Sequence, residues 1–96
     1  MSTYVFILYV AGRTARAENV IAGLRRALDD ERRCDYELIV HDVLEQPQIA
    51  EEAKILATPT LVKERPLPIR RIIGDLSDTT KVLSALGLHA PSQGER

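Results

Sequence analysis

Tyr4 to Val10 is an unbroken apolar run rich in β-forming side chains. Because it does not alternate, it predicts a strand covered on both faces, in the middle of a sheet. Ala11-Gly12-Arg13 reads as a turn, and Thr14 is placed to N-cap a helix. From there Ala17, Val20, Ile21, Leu24 and Leu28 recur at helical spacing and form one apolar stripe, while Arg16, Glu18, Arg25 and Arg26 fall on the other side. Asp29-Asp30-Glu31 sits badly at the negative end of a helix dipole and predicts fraying there, partly offset by Arg32 and Arg33. Tyr36 to His41 alternates. Tyr36, Leu38 and Val40 share one face; Glu37, Ile39 and His41 share a more mixed one, as expected of a strand near an edge. Strand, helix and strand make a βαβ unit with parallel strands and a right-handed crossover.

The second half is built from shorter pieces. Pro47 suits the first turn of a short helix with Glu51 and Glu52 early in it and Ile49, Ala50 and Ala53 as a small apolar side. Two turns of helix are weak alone. Lys54-Ile55-Leu56-Ala57-Thr58-Pro59-Thr60-Leu61-Val62 then runs from helix into strand, and the proline at the strand entry cannot donate to a ladder. Thr60 to Lys63 predicts a third strand and Ile69 to Ile73 a fourth, antiparallel to it. Between them Glu64-Arg65-Pro66-Leu67-Pro68 is expected to be irregular, and Gly74-Asp75 closes the hairpin. Ser77 is the expected N-cap of a last helix over 78–86, with Gly87 as its C-terminal stop and Leu88 reaching back to Leu83. The predicted order is βαβαββα in one α/β domain over residues 1–88, followed by a flexible polar tail over 89–96.

Charge and chemistry narrow the function. A formal charge of −1 on 96 residues gives no strong field for nucleic acid or membrane, and no apolar run reaches transmembrane length. The apolar start lacks the basic flank and cleavage site of a signal peptide, so a cytoplasmic location is the default expectation. A single cysteine, Cys34, excludes an intramolecular disulfide and a Cys-rich metal site, although Arg32 and Arg33 would favour its thiolate. His41 and His89 have no carboxylate or cysteine constellation, so no metal is expected. There is no P-loop or nucleophilic triad pattern. Arg70 and Arg71 are adjacent on a strand and point to opposite faces; with Lys63 on the neighbouring strand they predict a basic patch for an acidic partner surface.

This element order, with a Thr-Pro at the entry of the third strand, resembles a thioredoxin-like domain. The resemblance implies a cis peptide before Pro59. Thioredoxin-like redox proteins carry their reactive cysteines after the first strand, where Ala11-Gly12-Arg13-Thr14-Ala15-Arg16 has none. More closely, the chain resembles the KaiB family of clock proteins. The similarity is carried by Leu8-Tyr9-Val10-Ala11-Gly12, Asp42-Val43-Leu44, Pro47-Gln48, Ala50-Glu51-Glu52 and Lys54 through Leu61. Arg70-Arg71-Ile72-Ile73-Gly74-Asp75-Leu76-Ser77 and Lys81-Val82-Leu83 complete it.

That resemblance implies a non-enzymatic regulator, without cofactor, that binds the first ATPase domain of a hexameric KaiC-type ring. A sensor kinase carrying a KaiB-like domain would compete, and a KaiA-like protein is a further implied partner. It also implies two folds. A self-associating ground state, βαββααβ, exchanges with the thioredoxin-like monomer, with Pro59, Pro66 and Pro68 in the half that is rebuilt. Lys63, Arg70, Arg71 and Asn19 are the implied partner-binding residues, although relatives have arginine where this chain has Asn19. Relatives also have Asn-Thr-Pro-Asn at Arg13–Arg16 and Gly-Leu-Asp at Ala85-Leu86-Gly87. Alanine in place of glycine favours helix by about 1 kcal/mol, which shifts the expectation toward the thioredoxin-like form. Two other readings stay open: a divergent redox protein using Cys34, and a KaiB-like sensory module of a sensor kinase.

Overall fold

The computed structural model describes residues 3–30 and 35–87; Cys34, Leu88 with its expected contact to Leu83, His89 and the 89–96 tail lie outside the described residues. The order is β1 (Thr3–Val10), α1 (Ala15–Asp30), β2 (Asp35–Asp42), α2 (Pro47–Ala53), β3 (Thr60–Arg65), β4 (Arg70–Ile73) and α3 (Thr79–Ala85). This is the expected βαβαββα order of the thioredoxin-like form, not the alternative βαββααβ. The four strands lie in the order β2-β1-β3-β4. β1 is therefore central, as its unbroken apolar run predicts, and β2 is an edge. β1 and β2 are parallel along their full length, Thr3 opposite Asp35 and Val10 opposite Asp42. β3 runs antiparallel to both β1 and β4.

One face of the sheet carries Phe6 and Leu8 from β1, Leu38 from β2 and Leu61 from β3. They pack with Ala17, Ile21, Leu24 and Leu28 of α1 and with Val82 and Leu86 at the far end of the chain. The α1 stripe is the one the spacing predicts, and Arg16, Glu18, Arg25 and Arg26 are all exposed. Thr14 caps α1 as expected, its hydroxyl accepting from the Ala17 amide at 3.1 Å. The opposite face presents Tyr9 and Val62, both buried, beside half-buried Ile7 and Ile39. α2 reaches this face through Arg71 but buries none of its own residues.

Three expectations are corrected. The last helix is capped by Asp78, whose carboxylate accepts from the Lys81 amide, and begins at Thr79; Ser77 instead donates its amide to Asp75. The two residue types cap about equally well, but the negative charge of a carboxylate also suits the positive end of the helix dipole. The third strand continues through Glu64 and Arg65 because β1 is long enough to pair with them. The ladder shifts between Val5 and Phe6, so that Val5 meets Arg65 and Phe6 meets Lys63, which absorbs one extra residue as a bulge. The fourth strand starts at Arg70 rather than Ile69. Gly87 follows α3 at φ +86°, the left-handed stop that the sequence predicts.

Candidate partner-binding surfaces

Where β1 ends, the chain must turn into α1 while β2 turns toward α2. Asp42 joins the two turns. Its Oδ1 accepts from the Gly12 amide at 2.9 Å and from the Leu44 amide at 3.0 Å, and the Val43 amide donates to the Val10 carbonyl at 2.8 Å. Gly12 adopts φ +86°, which a side chain would resist. Beneath this node a groove of about 180 Å³ has an apolar floor of Val10, Ala17, Val20 and Pro59, with Thr14, Arg16 and Thr58 at its rim. A neighbouring cleft of about 560 Å³ continues past Pro59 to Asp75, Leu76 and Ser77. Asp75 is held below the usual carboxylate range, chiefly by its hydrogen bonds with Ser77. Neither groove contains a thiol or histidine, and among the described residues no cluster of His, Cys, Asp or Glu is arranged to hold a metal ion. The peptide bonds preceding Pro59, Pro66 and Pro68 are all cis.

The second surface surrounds α2. Leu44, before the helix, is 70% exposed, and Leu56, after it, is 93% exposed. Leu56 lines a shallow depression together with Pro47, Ala50, Glu51, Lys54 and Ile55. Leu44 and Leu56 are thus large apolar side chains left open to solvent beyond the two ends of one helix. Glu45, Glu51 and Glu52 are exposed around it.

The implied binding residues do not assemble into one patch. Lys63 is only 5% exposed and shares the helix-covered face with Phe6, its β1 partner in the ladder. Arg70 pairs with Lys63 and is exposed. Arg71 projects from the other face, where its guanidinium donates to the Lys54 carbonyl at 3.2 Å and to the Ala53 carbonyl. Asn19 is exposed on α1, away from all three, and lines a cleft with Gly23 and Thr79. Alternation along β4 explains why the arginines part, but register and burial defeat the predicted three-cation patch. Sequence reasoning missed Asp42 as a node, although an aspartate closing a strand before a turn signals such a role. It also missed Leu44 and Leu56, which lie in the loops before and after the short helix, where no periodic pattern signals burial or exposure.

Fold and grooves together define a thioredoxin-like domain that lacks a thiol at the start of α1. The solved structures it resembles include the N-terminal domain of Synechococcus elongatus SasA, with a TM-score of 0.73 at 23% identity, covering 100% of this chain and 90% of that one. Mitochondrial thioredoxin 3 from Saccharomyces cerevisiae matches with a TM-score of 0.67 at 23% identity, over 88% and 78% of the two chains. The family model described as the KaiB domain matches residues 7–88. A circadian clock oscillator protein KaiB from Prochlorococcus marinus (strain MIT 9312) is 57% identical over 86 residues, 90% of this chain and 82% of that protein. The chain belongs to the KaiB family.

Proposed function

We propose that this chain is a non-enzymatic, cytoplasmic clock regulator that docks on the first ATPase domain ring of a KaiC-type hexamer and modulates its phosphorylation and ATPase cycle. Membership of the KaiB family carries this reading. The absence of cysteine from Ala11–Arg16, the position a thioredoxin-like redox site would occupy, supports regulation over thiol chemistry. The exposed leucines flanking α2 supply the apolar centre of a docking surface. Arg70 and Asn19 contribute at exposed positions, and Lys63 contributes from the largely buried position opposite Arg70 in the ladder. A KaiA-like protein and a sensor kinase with a KaiB-like domain are the further partners of this proposal. Self-association belongs to the other fold, reached by slow rebuilding of the half that contains Pro59, Pro66 and Pro68.

The test is size-exclusion chromatography with light scattering, run on the chain alone and with a KaiC-type hexamer plus ATP. Co-elution is expected, weakened by Leu56→Asp and by charge reversal at Arg70. NMR of the isolated chain at micromolar concentration should show the thioredoxin-like topology. Failure to co-elute over hours under every nucleotide condition would overturn the reading.

A further inference from the structure

α2 has little to hold it. It is seven residues long, buries none of them, and packs only sparsely on the rest of the fold. A helix this short is unstable on its own. Its start has no side-chain cap, and its last turn has no basic residue to meet the negative end of the dipole. Its C-terminal stop is Lys54 in the left-handed conformation at φ 57°, a position that costs a non-glycine residue energy.

Beyond Lys54 at the C-cap itself, donors for the end of the helix come from a different element. Arg71 of β4, distant in sequence, reaches across the sheet face and donates one guanidinium nitrogen to the Ala53 carbonyl and the other to the Lys54 carbonyl. These are the carbonyls at the end of α2 that no further helical turn can satisfy. A planar, always-charged fork suits two such acceptors in a way that a point charge does not. Immediately beyond them the chain presents Leu56.

We infer that Arg71 is a positioning residue for partner docking: it latches the C-terminal end of α2 to the sheet and so sets the placement of Leu56, without itself touching the partner. The inference rests on the docking reading above. It differs from a basic contact patch in its consequence, since the guanidinium is already committed within the fold.

Two measurements test it. In the isolated chain, the Lys54 and Ile55 amides close the end of α2 on the Glu51 and Ala50 carbonyls. Arg71→Ala should speed their hydrogen exchange about tenfold while leaving the β1 amides protected, because only local opening is eased. Arg71→Lys should recover part of the protection, and Arg26→Ala on the outer side of α1 none of the effect. In a double-mutant cycle on affinity for the KaiC-type ring, Arg71→Ala and Leu56→Ala should be strongly non-additive, since one acts through the other. Unchanged exchange in Arg71→Ala overturns the latch, and full additivity with Leu56→Ala overturns its action through that leucine. Absence of ring binding by the unaltered chain overturns the docking reading and with it the positioning role, while the exchange arm still decides the latch.

Discussion

The two halves of this small domain are built to different standards. From Thr3 to Asp42 the elements are long: two eight-residue strands in a full parallel ladder and a sixteen-residue helix with four buried side chains. From Pro47 to Ala85 they are short: two seven-residue helices and a four-residue strand, with β3 and, in α3, Val82 buried. α1 is held by a continuous apolar stripe. α2 has only a small, half-buried apolar side of Ile49, Ala50 and Ala53, and Arg71 hydrogen-bonds its end. Hydrophobic burial is proportional to area and spreads over many atoms, whereas a hydrogen-bonded latch concentrates docking in one side chain. The first half is therefore a scaffold, and the second is where small changes in sequence redirect structure and binding.

The sharpest way to break that contrast is to cut each half at one apolar residue. Leu24→Ala removes a side chain that is 1% exposed in the centre of the core and should cost about 2–5 kcal/mol. Ile49→Ala on half-buried ground in α2 should cost under about 1 kcal/mol. Equal losses in denaturant titrations would show that α2 is packed as firmly as α1. A smaller effect is expected at the end of α3. Gly87→Ala meets no neighbouring atom within 4 Å but must hold φ +86°, so it should cost about 1 kcal/mol through backbone strain alone. Hydrogen exchange should place most of that loss in α3, and a loss spread evenly over β1 would erase the difference between the halves.

The mildest effect is expected at alkaline pH. The Tyr9 phenol is pushed above its ordinary value of 10.0, first by burial and then by Glu64, against an opposing pull from Arg71. Folding thus favours the neutral phenol. This contribution is fully present below about pH 10 and is lost as pH rises from there through the folded value. Tyr36 is raised in the same sense, by burial and by its 2.7 Å hydrogen bond to Asp29, and adds to the same window. Tyr9→Phe should flatten part of the decline in denaturation midpoint between pH 9 and 11, and an unchanged profile would assign the alkaline loss elsewhere.

Periodicity and punctuation determined much of this molecule from the sequence alone. The α1 stripe, the central place of β1, the βαβ unit, the hairpin of β3 with β4 and the Gly87 stop all follow from local pattern. So does the family, which rests on blocks such as Lys54 through Leu61. These are legible because each is written by neighbouring residues, through side-chain spacing, caps and turn chemistry. The tertiary structure decided what depends on residues distant along the chain. Glu64 and Arg65 became strand because β1 offered a partner. Lys63 was taken from the surface by its register against Phe6. Arg71 was committed to α2 rather than to a basic patch, since the distance from a strand to a helix end is set by the packing of the sheet. The donors for the Ala53 and Lys54 carbonyls are supplied through space, and no window along the chain contains both ends of those bonds.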